Sequence, residues 1–288
     1  LASASVTSIM VCALRVGRYE LPANVRVVSL DPEKQKKRFS IMWNLWRLSW
    51  QLRQEYDAVF VRGDAIYLVL AGWLWRLLGK RVAFWYAHYG VFSLFFWIGS
   101  IFAQIILTSV PEANPLRRAH AIGQQIDTSV FIPPTQINRF KEPLRVLHLG
   151  RVSPVKRVPW IIEALRPFLG QNVVHLRLIG KPGDVQEEVN VTTILQGLSG
   201  VEWQKQGIAF EQTTEAYKMA DVFIGATLGS LDKTILEAAA CGCIVFATTP
   251  GLRHGLPTEL QWLSVQTTAE LRAGIERVLA LTPVEREK

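Results

Sequence analysis

Cysteine is scarce in this sequence, and its spacing fits neither a disulfide framework nor a zinc site. Cys12, Cys241 and Cys243 are the only cysteines in 288 residues, and so odd and sparse a set does not support a disulfide-rich fold. A reducing compartment therefore fits best. Cys241-x-Cys243 is open to interpretation as a redox pair, but small buried residues at a helix-to-strand turn are the favoured interpretation.

Several short catalytic and nucleotide-binding motifs are also absent. The sequence contains no Walker A loop, no Gly-x-Gly-x-x-Gly and no His-Glu-x-x-His. It also lacks Asp-x-Asp, the carboxylate pair with which other enzymes hold Mn²⁺ or Mg²⁺ against a diphosphate. We predict a protein without a metal site and without a bound cofactor.

The beginning of the chain carries no recognisable targeting signal. It starts at Leu1, not Met, and has no basic stretch followed by a cleavage site. We therefore expect a chain that is truncated at its start. We also expect a cytoplasmic protein, with the inner face of the cell membrane as a candidate place of action.

The excess of positive charge is confined to the first half of the chain. Residues 1–140 hold 16 Lys and Arg against 8 Asp and Glu, whereas residues 141–288 hold 16 of each. The first half also contains most of the tryptophans: Trp43, Trp46, Trp50, Trp73, Trp75, Trp85 and Trp97. This pattern fits an anionic membrane surface or a lipid-linked acceptor. It equally fits a solvated basic face over an aromatic core, whereas nucleic-acid binding is disfavoured because no binding module is recognisable.

Residues 91–110 carry no charge, and by hydropathy alone this run is long enough to span a bilayer. Gly99, Ser100 and Gln104 interrupt the run, and its end is β-branched. We favour a helix over 91–102 followed by a buried strand over 104–110. A spanning helix and an interfacial helix remain alternatives.

Strand and helix patterns alternate along the whole chain, which predicts an α/β fold with parallel sheets. Strands are predicted at 6–14, 25–30, 57–61, 81–86, 144–149, 173–179, 201–204, 221–224 and 244–247. Helices are predicted at 38–54, 65–78, 158–169, 184–197, 211–219, 231–240 and 268–281. Prolines flank a polar stretch at 135–142, which we interpret as a linker between domains 1–140 and 141–288.

One acid and two cations in the second half suggest a site for a nucleoside diphosphate. Glu237 lies on a helix of small residues that leads into an apolar strand, where open α/β sheets bind ligands. Arg151 and Lys156 follow another strand across Gly150. The carboxylate suits ribose hydroxyls and the cations suit phosphates, although a solvated basic loop explains the cations equally well.

The segment before Glu237 strengthens the expectation of a bound anion. Ser230 is predicted as the helix N-cap, and Leu231 and Asp232 follow it. Lys233 opposes the helix dipole at this end, a conflict that a bound anion would relieve. The alternative is an ion pair between Lys233 and Glu237 in the less favourable order.

These pieces, taken together and in order, resemble a known family. Four segments resemble the C-terminal domain of the group-1 (family 4) retaining glycosyltransferases: Gly150-Arg151-x-Ser153-Pro154-x-Lys156, Gly180, Tyr217-x-x-Ala220-Asp221-Val222-Phe223 and Leu236-Glu237-Ala238-x-Ala240-Cys241-Gly242. Four segments of the first half resemble one branch of the same family: Tyr56-Asp57-x-Val59-Phe60-Val61, Leu74-Trp75-Arg76-Leu77-Leu78-Gly79-Lys80, Trp85-Tyr86-Ala87-His88 and Ile126-Asp127-x-x-Val130-Phe131.

The resemblance implies a GT-B architecture, in which two Rossmann-like domains face a cleft. It implies that Arg151 and Lys156 hold the donor diphosphate and that Glu237 binds the donor ribose. Gly180 and the Gly207-Ile208 turn would surround the nucleoside. His88 would position the transferring sugar, its alternative being an ordinary histidine at the end of a strand.

The chain departs from the family pattern in three places. Gly229 stands where the family often has a second acid, eight residues before Glu237. We also expect the opening strand with its glycine loop to be missing before residue 6, and most of the closing helix that crosses back to the first domain to be missing after Lys288.

From these observations we expect metal-independent transfer of a hexose, with retention, from a UDP-, GDP- or ADP-sugar. The expected acceptor is an envelope polysaccharide or a lipid-linked glycan, and an anionic membrane is a candidate contact. The alternative is a non-catalytic nucleotide-sugar-binding protein or an inactive fragment, which Gly229 and the missing strand favour.

Overall fold

A computed structural model describes residues 6–14, 16, 20–31, 38–87, 92–134, 143–228 and 231–281. Within them the chain divides into two compact units. The first runs to Tyr86 and includes Phe92–Leu107, and the second takes in Ala87 and the chain from Thr108 onwards. The predicted linker at 135–142 lies outside the described residues, so the predicted boundary between domains stays a prediction.

The first unit is built from short parallel strands and three helices. In chain order they are β1 (Ile9–Ala13), β2 (Val25–Ser29), α1 (Arg38–Gln51), β3 (Ala58–Arg62), α2 (Ile66–Leu77), β4 (Arg81–Trp85), α3 (Leu94–Phe102) and β5 (Ile105–Thr108). β1 pairs with β2, and β3, β4 and β5 lie side by side, all in parallel. α2 packs between α1 and α3.

The uncharged run folds as the favoured interpretation predicts, as a helix and then a strand. α3 begins after Ser93, whose hydroxyl accepts a hydrogen bond from the Phe96 amide. The following strand is only half buried, because Ile105 is exposed and Ile106 is buried. Among the described residues, no helix is long and apolar enough to cross a membrane.

The second unit contains a larger parallel sheet with helices between its strands. Its elements are β6 (Ala119–Ala121), β7 (Leu144–Leu149), α4 (Val158–Leu169), β8 (Val174–Ile179), α5 (Val185–Leu195), β9 (Val201–Gln204), α6 (Thr213–Lys218), β10 (Val222–Gly225), α7 (Lys233–Ala240), β11 (Ile244–Ala247), α8 (Pro250–Gly255) and α9 (Thr268–Ala280). Five of the strands lie in the order β11-β10-β7-β8-β9. Every residue of β10 is buried, as expected for a strand covered on both faces.

The order of these strands changes direction beside β7. The chain builds outward from β7 through β8 to β9, and then returns to place β10 on the other side of β7. Such a switch point leaves a crevice at the carboxyl ends of the two central strands, where open α/β sheets bind ligands. The topology alone therefore indicates a ligand site at the carboxyl ends of β7 and β10.

An ion pair joins β7 and β10 at their amino ends, away from the crevice. The Asp221 carboxylate is fully buried and accepts hydrogen bonds from the Arg145 amide at 2.8 Å, from Nε at 3.0 Å and from Nη2 at 2.7 Å. Three charge-assisted bonds offset the cost of burying this carboxylate. Asp221, part of the family-like pattern, thus has a structural role.

The predicted start of the Glu237 helix is corrected. The helix was expected over 231–240 with Ser230 as N-cap, but α7 begins at Lys233 and Asp232 occupies the N-cap position without a side-chain capping bond. The Asp232 carboxylate bonds to residues of other elements instead. Ser230 itself lies outside the described residues.

Candidate functional site

The residues predicted to bind a donor follow four neighbouring strands at the same edge of the sheet. Arg151 and Lys156 follow β7, Gly180 follows β8, and Gly207 follows β9. The segment from Leu231 to Lys233 follows β10. Because all these strands are parallel, their carboxyl ends share one edge.

Gly180 allows the loops after β7 and β8 to touch through their backbones. A Cβ placed on Gly180 would lie 1.8 Å from the Gly150 carbonyl oxygen, a distance that real atoms do not reach. The Gly150 amide donates to Ile179 O at 2.9 Å, and the Val152 amide donates to Lys181 O at 2.9 Å. The turn that carries Arg151 is thus seated against β8.

Lys156 lies in a polar cluster at the switch point. It ends a short 3-10 turn, Pro154–Lys156, and its Nζ donates to Thr227 Oγ1 at 3.1 Å and to the Asp232 carboxylate. The Thr227 hydroxyl also donates to Asp232. The ammonium has three donors, so one remains for a ligand while Asp232 offsets its charge.

His148, which the sequence analysis did not select, lies beside this cluster. Its Nδ1 is 2.9 Å from the Ile224 carbonyl oxygen, so the neutral ring donates across the β7–β10 pair and leaves Nε2 as an acceptor. Burial, with a smaller contribution from the Lys156 charge, lowers the His148 pKa to about 4. Within the described part of the chain, the buried Nε2 has no hydrogen-bond partner.

Glu237 is half-buried on α7, one turn in from the helix start. Its carboxylate accepts a hydrogen bond from Tyr217 Oη on α6 at 3.0 Å. Burial raises the Glu237 pKa, which the Tyr217 hydrogen bond and the Lys233 charge lower in part. Burial and the adjacent carboxylate raise the pKa of Tyr217, so its hydroxyl stays a donor. One fixed hydrogen bond thereby orients a carboxylate that keeps further acceptor capacity.

The other two predicted cations, Arg151 and Lys233, are exposed. Among the described residues, the Arg151 guanidinium makes no ion pair or hydrogen bond. No ion pair within 4 Å joins Lys233 to Glu237 in the same part of the chain, although both lie on α7. The i, i+4 pair, which was the alternative to a bound anion, is therefore not formed, and both cations point to water.

The Gly207-Ile208 turn closes the edge after β9. Gly207 has a φ of +73°, a left-handed conformation that favours glycine. Its carbonyl oxygen accepts a hydrogen bond from the Gln204 side chain at 3.2 Å. Ile208 is half-buried and packs on the hydrophobic cluster that contains Tyr217, which connects this turn to the surroundings of Glu237.

The structure does not reach every predicted residue. His88, Gly229 and Ser230 lie outside the described residues, so their predicted parts stay predictions. In the other direction, sequence analysis missed Thr227 and did not pair Tyr217 with Glu237. Thr227 follows strand β10 by two residues, which is the one signal that could have marked it.

A cavity lies apart from the predicted donor-binding residues. A pocket of about 490 Å³ is lined by Pro111 and neighbouring residues up to Ala121. None of them belongs to the strand-end cluster, which we define as the described residues at or near the carboxyl edge of the sheet: His148, Arg151, Lys156, Gly180, Gly207, Ile208, Tyr217, Thr227, Leu231, Asp232, Lys233 and Glu237. The cluster is the stronger candidate, because it combines a topological switch point with convergent charged groups. Among the described residues, no group of three or more His, Cys, Asp or Glu side chains is arranged to hold a metal ion.

Residues 143–280 match the family model described as Glycosyl transferases group 1. The match covers just under half of the chain, so the likeness to that family rests on the second unit. The match contains every described residue of the strand-end cluster, from His148 to Glu237. No curated protein matches the chain by sequence.

Solved structures confirm the fold class. HepE of Anabaena, in complex with UDP and glucose, is similar with a TM-score of 0.70 at 15% identity, over 91% of this chain and 78% of that one. A glycosyltransferase from Rickettsia africae gives a TM-score of 0.73 at 12% identity, over 98% and 82%. At this identity the likeness shows a fold, and that fold is GT-B-like with parallel sheets, as predicted.

The close approach at Gly180 makes a testable prediction for the group 1 domain. Gly180→Ala should lower the free energy of unfolding by about 1–3 kcal/mol, because the methyl group meets the Gly150 backbone. Gly170→Ala is the matched control: its Cβ meets open space at a φ of −67°, so stability should stay equal or rise by less than about 1 kcal/mol. Guanidinium denaturation measures both, and equal stabilities would contradict the contact.

Proposed function

We propose that this chain transfers a hexose from a nucleotide diphosphate sugar to a glycan or lipid-linked acceptor, with retention and without a metal ion or other cofactor. The observation that carries the proposal is the strand-end cluster, in which an oriented carboxylate and two flanking cations share one edge of a group 1 domain. The donor is proposed to be a UDP-sugar, because the similar HepE protein was solved with UDP and with UDP-glucose.

Each group of the cluster suits one part of such a donor. The Glu237 carboxylate accepts hydrogen bonds from the ribose hydroxyls, and Gly180 and Gly207-Ile208 surround the base. Arg151, exposed and without an ion pair among the described residues, meets the diphosphate together with the remaining Lys156 donor. Lys233 and the amides at the start of α7 add positive potential at the same edge.

The cations also explain how the reaction would be accelerated. Transfer breaks the bond between the anomeric carbon of the sugar and a diphosphate oxygen, and negative charge grows on that oxygen. Donors that are already in place stabilise this charge without reorganising at the moment of reaction. Metal-independent transfer rests on Arg151, Lys156 and Lys233 supplying the charge that a divalent ion supplies elsewhere.

The acceptor side of the proposal rests on the first half of the chain. His88 is proposed to face the transferring sugar. The basic and aromatic composition of residues 1–140 supports an acceptor that is an envelope polysaccharide or is lipid-linked, at the cytoplasmic face of a membrane.

A second candidate function is nucleotide-sugar binding without catalysis. Gly229, which stands where a second acid was expected, favours it. Incubation of the full chain with radiolabelled UDP-glucose separates the two: release of UDP, by transfer or by hydrolysis, supports the enzyme, whereas binding with no release supports the binding protein.

The role of Glu237 predicts how donor affinity changes with pH. Only the ionised carboxylate is a pure acceptor, so UDP-glucose affinity should fall as pH drops through the raised Glu237 pKa, above the range of an ordinary glutamate. UDP-glucose suits this test because its phosphates do not titrate in that window. Glu237→Gln should bind about tenfold more weakly at neutral pH and lose this dependence.

Calorimetry across pH checks this prediction, with Glu215→Gln as a control for a charge removed from the exposed face of α6. If the Glu237→Gln variant bound UDP-glucose as tightly as the unchanged protein at every pH, the ribose role would be wrong.

The phosphate role of Arg151 predicts a selective loss. Arg151→Ala should weaken UDP about tenfold or more, because a charge-assisted bond to phosphate is lost, and should leave uridine within about twofold. Arg166→Ala, which removes an exposed arginine from α4, should change neither affinity. Equal losses for UDP and uridine would contradict a phosphate contact.

The ion pair between Asp232 and Lys156 predicts the direction in which Asp232 changes the affinity for UDP. A carboxylate bonded to the phosphate-binding ammonium repels the incoming diphosphate, so Asp232→Asn should raise UDP affinity about fivefold at low salt and less at high salt. Asp184→Asn is the control, because asparagine caps α5 as well as aspartate does. Weaker UDP binding by Asp232→Asn would instead show that Asp232 holds Lys156 in position.

A further inference from the structure

The three helices of the first unit expose large apolar side chains on their outer sides. Six of these side chains are more than half exposed, and we refer to them as the apolar face: Phe39, Trp43, Trp50, Leu77, Leu94 and Ile101. Large apolar side chains exposed on adjacent helices of one unit commonly mark an interaction surface.

Close packing holds the three helices together. A Cβ on Gly72 of α2 would lie 2.6 Å from Phe102 of α3, and one on Gly99 would lie 2.9 Å from the Ala65 carbonyl oxygen. Trp46 of α1 meets Trp73 of α2 edge to face, with 6.1 Å between ring centroids. The helices thus form one layer, and their exposed side chains lie away from these contacts.

Within α1, α2 and α3, acidic residues are absent. Arg47 is exposed on the same side of α1 as Trp43 and Trp50, at helical spacings of four and three, and Arg76 is exposed beside Leu77 on α2. Arg53 lies over the Trp50 ring at 4.8 Å. Within the three helices themselves, the face therefore joins apolar side chains with cations and with no acid.

This charge pattern favours an anionic bilayer over a second copy of the chain as the partner of the apolar face. Two copies of the face would bring arginines together with no carboxylate between them, which opposes self-association. An anionic bilayer supplies both complements: lipid phosphates for the arginines and an acyl boundary for tryptophan and leucine. α3 has no charge and only nine residues, too short to span a bilayer, and so suits a position in its surface.

We propose that the apolar face of α1, α2 and α3 docks on an anionic lipid bilayer, with α3 entering the headgroup region and Arg47 and Arg76 contacting lipid phosphates. This places a lipid-linked acceptor beside the first unit. The docking itself does not depend on the donor chemistry of the second unit.

Flotation of the full chain with vesicles tests the proposal. The chain should float with phosphatidylcholine vesicles that contain 30% phosphatidylglycerol, a composition of roughly physiological negative charge, and should bind pure phosphatidylcholine at least about tenfold more weakly. The double variant Leu94→Gln and Ile101→Gln should lose about tenfold or more in affinity for the anionic vesicles. These side chains are 70% and 74% exposed, so their replacement leaves the core intact.

Two further variants complete the design. Val185→Gln with Val189→Gln removes exposed apolar groups from α5 of the second unit, where they are 77% and 53% exposed, and should float like the unchanged chain. Arg47→Glu with Arg76→Glu should abolish the preference for anionic vesicles.

Three results would overturn the proposal. The first is an unchanged chain that does not float with anionic vesicles. The second is α3 or arginine variants that float as well as it does. The third is a dimer of the unchanged chain that becomes a monomer in the α3 variant, as measured by sedimentation velocity. That result would assign the apolar face to a second copy of the chain. UDP-glucose calorimetry on the same variants should give unchanged affinity, so a failure of donor binding is distinguishable from a failure of docking.

Discussion

The parallel pairing of β7 with β10 is the constraint on which the candidate site depends. At one end of the pair, Arg145 holds the buried Asp221 carboxylate. In the middle, His148 bonds the Ile224 carbonyl group. At the carboxyl end, Lys156 meets Thr227. Side chains on the two strands and on the loops that follow them thus fix a crevice that the topology alone already creates.

The three cations at that crevice are not equivalent, because one of them is paired with a carboxylate. Lys156 is paired with Asp232, whereas Arg151 and Lys233 are exposed and make no ion pair among the described residues. Glu237 has a raised pKa because it is half-buried, and its carboxylate accepts a hydrogen bond from a tyrosine. The cluster is therefore neither a simple basic patch nor a metal-type carboxylate site. It combines one ion pair, two exposed cations and a carboxylate that a tyrosine orients.

The two units divide the chemistry between them. The second carries the family match and the donor-type cluster, and the first carries the excess positive charge and the apolar face. The basic and Trp-rich composition left two interpretations open, a membrane surface and a solvated face over an aromatic core. The structure contains parts of both: Trp75 is buried and donates to Ser49, whereas Trp43 and Trp50 are exposed beside arginines.

Most of the fold could be predicted from the sequence by itself, because the spacing of apolar residues within each segment indicates a strand or a helix. The strand-end placement of Arg151, Gly180 and Glu237 follows from that pattern, since parallel strands share one carboxyl edge. Tertiary structure alone decided three points. Asp232 pairs with Lys156 and does not cap its own helix, Tyr217 orients Glu237 from another helix, and His148 is a polar contact inside an apolar strand. Each is a contact between residues 20 or more positions apart, and a local period carries no information about which distant side chain will complete a hydrogen bond.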